Sequence, residues 1–225
     1  KLSNRLDLVA SFVPAGARLL DVGSDHAYLP IALLQEGKIE AAIAGEVVEG
    51  PYQSALQNVA DNGLEDKIEV RLANGLAAFE PTDGISCITI AGMGGRLIAD
   101  ILATGLEKLA NVSRLVLQPN NREDELRAWL VDHDFHIVDE AILEENEKFY
   151  EILVVEQGSQ ELTAKELRFG PYLMREQAPA FVQKWSKEVE KLAFALEQVP
   201  VENQSARASL EERIAHIKEV LHVSK

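Results

Sequence analysis

The chain has 225 residues, 47% of them hydrophobic, which is enough for one α/β domain with a real core and a smaller appendage. Its net charge of −15 is unevenly carried: residues 1–158 hold 12 Lys and Arg against 27 Asp and Glu, whereas residues 159–225 hold 10 of each. That excludes a protein basic enough to grip nucleic acid over its whole surface, but not a local contact, because charges more than roughly 8 Å apart are screened at physiological salt.

No apolar run approaches the ~20 residues that a membrane-spanning helix needs, and Asp7 interrupts the stretch where a secretory signal would be apolar. The single cysteine, Cys87, excludes an internal disulfide and fits a reducing, cytoplasmic setting.

In chain order, apolar residues at Leu2, Leu6, Val9 and Val13 behind Ser3 as N-cap predict a leading helix that Pro14 and Gly16 end. Arg18–Val22 then reads as a buried strand that turns through Gly23 into a helical pattern from Tyr28 to about Glu36, the first crossover of a parallel sheet. A glycine there lets a ligand come close to the backbone, and the free N–H groups of the following helix suit an anionic group. The dinucleotide pattern G-x-G-x-x-G is absent, since Asp25 and Tyr28 stand where its second and third glycines belong. A plain turn explains Gly23 equally well.

A second strand, Ala41–Val47, ends with Glu46, and Gly50-Pro51 opens a helix to about Asn62. An acid closing the second strand is what a ribose diol asks for; a solvated acid at a strand end is the alternative. Ile68–Leu72 alternates apolar and polar residues as a third strand. Asn74-Gly75 after it is a turn signal whose amide also matches an adenine edge. A fourth strand, Ile85–Ala91, runs into Gly92-Met93-Gly94-Gly95, a bare platform for a flat ligand, with a helix from about Arg96 to Leu109. The fifth strand, Arg114–Leu117, leads to Gln118-Pro119-Asn120, where Pro119 fixes the backbone and aims the two amides, and a helix follows from about Arg122 to Asp132.

Phe135–Leu143 and Phe149–Val155 break the alternation. The link Glu144–Lys148 is too short for a helical crossover, so these two strands pair antiparallel. Beyond Ser159 the pattern is helical. Thr163 and Glu166 match a capping box, and Gly170-Pro171 interrupts the chain. Phe181, Trp185, Val189, Leu192 and Leu196, then Leu210, Ile214, Ile217 and Leu221, give two apolar seams that predict an antiparallel hairpin packed as a coiled coil. Trp129 and Trp185 fall on apolar helix faces and are assigned to the core. The five histidines (His26, His133, His136, His216, His222) form no spaced ligand set, so no metal is expected, and no G-x-S-x-G elbow is present.

The expected architecture is therefore α/β: a seven-stranded Rossmann-like sheet over residues 1–158 and a helical hairpin over 159–225. Gly23, Glu46, Asn74 and the glycine platform all fall at strand carboxyl ends, where such sheets bind ligands. Together they describe a site for an adenosine-bearing ligand. S-adenosyl-L-methionine is favoured over a nicotinamide cofactor, because it has no pyrophosphate for the missing glycines to cradle.

The residues also resemble a known family. Leu2-Ser3 with Arg5-Leu6, Asp21 to Pro30, Gly45-Glu46-Val47, Ala91 to Gly95 and Gln118-Pro119-Asn120 are similar to the bacterial TrmK-type tRNA (adenine(22)-N1)-methyltransferases, over essentially the whole chain. Asn74 stands where the family favours aspartate, keeping an acceptor without its charge. The resemblance implies a class I S-adenosyl-L-methionine-dependent methyltransferase acting on N1 of adenine 22 in the D arm of tRNA. The cofactor residues it implies are Asp21, Gly23, Ser24, His26, Glu46, Val47, Asn74, Gly75, Ala91, Gly92 and Met93. N1 carries a free lone pair, so positioning supplies most of the barrier reduction, and a carboxylate near the cationic product ring would stabilise it. Asp25 is the candidate for that role, compatible with an N-cap role for the helix behind it. Gln118 and Asn120 would read the Watson–Crick edge of an extruded adenine, or satisfy backbone groups around Pro119. His26 and Tyr28 either stack on a base or pack. Arg5, Arg96 and Arg122 are the phosphate candidates near the strand ends. Lys184, Lys187 and Lys191 form one helical stripe, which a solvated face explains as well. A methyltransferase of a small molecule or protein, and a non-catalytic cofactor-binding scaffold, are the rival readings. The sequence assigns no oligomeric state.

Overall fold

A computed structural model of the chain describes residues 2–221. Seven strands form one sheet: β1 (Arg18–Val22), β2 (Ala41–Glu46), β3 (Ile68–Leu72), β4 (Cys87–Met93), β5 (Arg114–Pro119), β6 (Phe135–Glu145) and β7 (Lys148–Gln157), in the spatial order β3-β2-β1-β4-β5-β7-β6. The first five are parallel to one another, and β7 inserts antiparallel between β5 and β6. The helices of this part are α1 (Asn4–Ser11), α2 (Tyr28–Gln35), α3 (Glu49–Asp61), α4 (Gly95–Thr104) and α5 (Glu123–Asp132).

Alternation along the strands divides the core between the two faces of the sheet. Leu20, Val22, Ile88 and Ile90 pack under α4 and α5 with Ile98, Leu102 and Leu126. Leu19, Ala42, Ala44 and Cys87 face the other way, onto Val9 of α1, Leu29 and Leu33 of α2, and Val59 of α3. Burial pushes the Cys87 thiol up to about 12, so it is inert packing.

The leading helix forms as expected: Ser3 Oγ accepts from Leu6 N at 3.2 Å. Its first turn is also fastened by Glu145 at the end of β6, whose carboxylate accepts from Asn4 N at 2.8 Å and Arg5 N at 3.2 Å. An anion at the exposed N–H groups of a helix start is favourable, and here it sets where Arg5 lies.

The helix expected to run to Leu109 is shorter. It ends at Thr104, and Leu106–Asn111 is a 3₁₀ turn. Gly105 is the reason: a Cβ there would meet Leu76 Cβ at 2.8 Å, so the chain turns where it packs tightly on Leu76.

After β7 come α6 (Ala164–Phe169), α7 (Pro171–Glu176), α8 (Pro179–Glu197) and α9 (Gln204–Leu221). The capping box of Thr163 and Glu166 starts α6. Phe169, Leu173, Phe181, Trp185, Leu192, Ile217 and Val220 make a third core in which α8 and α9 pack together. Trp185 is buried there, and Trp129 packs against the α4/α5 core. The end of the second seam at Leu221 is described, and His222 lies outside the described residues.

Candidate active site

Neighbouring strands carry their carboxyl ends, and therefore their loops, in one row. With β3, β2, β1, β4 and β5 side by side, the row runs from Asn74 past Glu46 and Gly23 to Ala91 and Asn120, roughly 19 Å at normal strand spacing. Gly23 N and Ser24 N both donate to Gly45 O, at 3.0 and 3.1 Å, which draws the first loop over the end of β2 beside Glu46.

Gly23 has φ +66, which favours glycine; a Cβ there would lie 2.5 Å from Met93 Cε, the end of a flexible side chain that would have to move aside. Asp21 is buried beneath the loop. Its carboxylate accepts from Ser24 Oγ and Thr89 Oγ1, each at 2.7 Å. Desolvation pushes its pKa up to about 6, against those two bonds and the charge of Arg5. Asp21 and Ser24 thus hold the loop's shape.

Asp25, His26 and Ala27 have φ of +48, +66 and +59, three consecutive non-glycine residues in the left-handed region. Each costs on the order of 1–3 kcal/mol unless its surroundings hold it. Here α3 does so: Ser54 Oγ pairs with His26 Nδ1, and Asn58 Nδ2 donates to His26 O at 2.8 Å. The capping role considered for Asp25 is not found. Ala27 stands at the cap of α2 without a side-chain bond, because the left-handed run turns the Asp25 side chain outward, 75% exposed. Tyr28 is exposed, with its ring 5.1 Å from that of His26.

Glu46 is the buried acid of the row, 4% exposed. Desolvation raises its pKa, the Asp25 backbone N–H bound to it lowers it, and the nearby Asp21 and Asp25 charges raise it further. Among the described residues its Oε2 has no hydrogen-bond partner. A buried acceptor without a donor is unfavourable by about 1–3 kcal/mol, and a ribose diol offers the donors it lacks. Val47 follows, 59% exposed. Beyond β3, Asn74, Gly75, Leu97 and Ile101 line a cleft of about 390 Å³. Gly75 has φ +57, and a Cβ there would press on Ile101 at 3.2 Å.

The glycine platform needs correction. Only Gly92, with φ +80, is exposed at the strand end. A Cβ on Gly94 would meet Asn121 Oδ1 at 2.9 Å, and one on Gly95 would meet Arg122 O at 2.4 Å. Those two glycines let α4 start against the loop after β5, with Gly95 N donating to Asn121 O at 3.0 Å.

Gln118 is also reassigned. It is fully buried, and every hydrogen-bonding position of its amide is engaged. Oε1 accepts from Arg5 Nη1 at 2.7 Å and Gly92 N at 2.9 Å, while Nε2 donates to Pro119 O at 2.9 Å and Asn120 Oδ1 at 3.1 Å. It therefore has no edge left for a base; it orients Asn120, which is exposed. Arg5 is drawn into the same support, 5.6 Å from the Tyr150 ring centroid. Arg96 and Arg122 remain exposed, and both bind Glu125, at 3.1 and 3.2 Å.

Asn120 lies in a second cleft, of about 730 Å³, with Phe149, Tyr150, Lys148, Lys187 and Lys191. Lys184 lines it too, but bonds Glu123 at 2.9 Å and also pairs with Glu151. Behind it Arg127, fully buried, binds Glu140 at 2.9 Å and Glu151 at 2.6 Å. Sequence reasoning missed Thr89, Ser54, Asn58 and this ion network. A usable signal was present for the network: Glu140 and Glu151 lie inside strand-like segments and Arg127 beside Leu126 and Leu130, and charges in a core need partners. Among the described residues no group of His, Cys, Asp and Glu is placed to hold a metal, and no helix is long and apolar enough to cross a membrane.

A mixed seven-stranded Rossmann-like sheet with a glycine turn after its first strand and a buried acid after its second, both at strand carboxyl ends where such sheets bind ligands, fits an S-adenosyl-L-methionine-dependent methyltransferase. The chain belongs, more narrowly, to the tRNA (adenine(22)-N(1))-methyltransferase family TrmK, whose model matches residues 19–219. The tRNA (adenine(22)-N(1))-methyltransferase of Bacillus subtilis is 39% identical over 98% of this chain and 97% of its own length. Sp1610 of Streptococcus pneumoniae, solved in complex with S-adenosyl-L-methionine, is 67% identical with a TM-score of 0.92, covering 99% of this chain and 100% of its own. TrmK of M. capricolum, solved with S-adenosyl-homocysteine, is 29% identical with a TM-score of 0.86, covering 100% and 99%.

Proposed function

We propose that this protein transfers the methyl group of S-adenosyl-L-methionine to N1 of adenine 22 in tRNA, and that the row of strand-end loops from Asn74 to Asn120 carries the reaction. The observation that supports the donor site best is the buried, unpartnered Oε2 of Glu46 beside the Gly23 loop. The donor supplies an electrophilic methyl on a sulfonium. In this reading the ribose lies on Glu46, the adenine lies between Val47 and the Asn74–Gly75 cleft, and the methionyl end lies along Gly23 to His26 and Ala91 to Met93.

The acceptor base enters from the β5 side. Asn120 Oδ1 already accepts from Gln118 Nε2 at 3.1 Å, which fixes the amide and leaves a lone pair for the adenine N6 amino group. As N1 takes the methyl the ring becomes cationic and that amino group becomes a stronger donor, so the bond tightens towards the transition state. N1 needs no base to expose its lone pair. In this reading the exposed Asp25 carboxylate after β1, 3.4 Å from His26 Nε2, stabilises the positive charge.

RNA would lie in the lysine-lined cleft. Lys148, Lys187 and Lys191 offer phosphate contacts in a strongly acidic molecule, and Phe149 and Tyr150 offer faces for an extruded base. This reading keeps residues 1–158 as the catalytic domain and 159–225 as a helical domain with α8 and α9 as a coiled-coil hairpin. It is supported by the separate core of Phe181, Trp185, Leu192 and Ile217. A cytoplasmic location goes with the substrate. Asn120→Ala tests the base site: turnover on tRNA should fall about 100-fold or more with donor affinity unchanged by calorimetry. A loss confined to donor affinity would remove Asn120 from the base site.

A further inference from the structure

Lys184 belongs to the stripe that lines the RNA cleft, yet it is turned into the protein and only 19% of its side chain is exposed. Its two carboxylate partners differ in position. Glu151 lies in the interior, held also by Arg127, whose other partner Glu140 accepts from Tyr172 N at 2.9 Å at the start of α7. That inner half is enough to fasten α7 to the sheet. Glu123, the other partner, is the first residue of α5, three residues after Asn120 and directly after Arg122, whose φ is +50. Glu123, Asp124 and Glu125 crowd one helical turn with negative charge, and Lys184 neutralises the first of them from across the cleft.

We propose that Lys184 is a positioning residue: by holding Glu123 it sets the Asn120–Arg122 turn in register with α8, the helix that presents Lys187 and Lys191 to the RNA. RNA bound on α8 and the amide that meets the target base are then held in register by the Lys184–Glu123 pair at the cleft, outside the deeper link from Lys184 through Glu151 to Arg127 of α5. The inference rests on Asn120 as the residue that meets the base.

The test compares Lys184→Met, Lys184→Arg, Glu123→Gln and the Met/Gln double variant in steady-state methyl transfer to unmodified tRNA, with Asn120→Ala alongside. Lys184→Met and Glu123→Gln should each lower kcat about tenfold, the scale of a small misplacement of a reacting group. The double variant should be no worse than Lys184→Met, since both changes break the Lys184–Glu123 link. Donor affinity should stay unchanged, KM for tRNA should stay within about twofold, and Lys184→Arg should recover most of kcat. Unaltered kcat in folded variants, multiplied losses in the double variant, or a raised KM with kcat intact would each overturn the proposal; the last would make Lys184 a phosphate contact. If Lys184→Met does not fold, Glu123→Gln decides alone, because it leaves the pairing of Glu151 with Arg127 and Lys184 in place. Full turnover in Asn120→Ala would overturn the base site and this inference together, whereas its loss beside intact Lys184 and Glu123 variants would overturn the inference only.

Discussion

Glu46 and Asp21 are both buried carboxyls with raised pKa values, but they differ in what surrounds them. Asp21 is satisfied by two hydroxyl donors, whereas Glu46 keeps an oxygen free. One holds the loop, and the other is the proposed acceptor for the donor's ribose. Glu46→Ala should therefore weaken donor binding by roughly 2 kcal/mol, the scale of a charge-assisted hydrogen bond, read by calorimetry; undiminished binding would remove Glu46 from the donor site. Asp21 bears on pH. With its carboxyl raised from 3.8 to about 6, the native chain holds a proton that the unfolded chain releases over that window. The stability from that proton is full below the unfolded value and is lost as pH rises through about 6, about 3 kcal/mol in all. Asp21→Asn should flatten that stretch of a urea-midpoint profile against pH, and an identical slope in the variant would contradict the assignment.

Among the elements, the loop after β5 and the start of α4 act as one piece. Gly95 is 2.4 Å from Arg122 O at the position of a missing Cβ, with backbone and not a flexible side chain in the way. Gly95→Ala should cost about 1–3 kcal/mol of stability, as overpacking does, and should lower turnover by displacing Asn120; a variant with the parent's melting temperature and rate would refute the coupling. The strands were largely legible in the sequence, because period-2 burial and glycine turns are local signals: Arg18–Val22 and Ile68–Leu72 fall where the pattern places them. Glu46 at the end of β2 was legible for the same reason, as a charge ending an apolar run. What the pattern could not carry was contact between distant segments. It left open whether a glycine is exposed at the strand end, as Gly92 is, or packs on another loop, as Gly94 and Gly95 do. Gln118 carries a base-reading side chain, yet Arg5, 113 positions away, occupies its oxygen. Nor does composition reveal the left-handed run Asp25–Ala27, since its support comes from Ser54 and Asn58 on α3.

At the scale of the whole molecule, the charge distribution and the architecture answer the same question. A net charge of −15 repels a polyanion at long range, so RNA must be held where lysines converge and screening limits the acidic background. The proposed place is the cleft of Lys148, Lys187 and Lys191, which is also lined by Asn120. The buried network of Arg127, Glu140, Glu151 and Lys184 joins the walls of this cleft, and removing one member of such a network leaves an uncompensated charge inside. The most direct test of the central claim, one donor hollow meeting one extruded adenine, is transfer of labelled methyl from S-adenosyl-L-methionine into unmodified tRNA, followed by nucleoside analysis. The expected product is 1-methyladenosine at position 22, with no incorporation into tRNA in which that adenine is replaced. Label at another position or in another nucleoside, or none at all from protein that binds the donor, would contradict it.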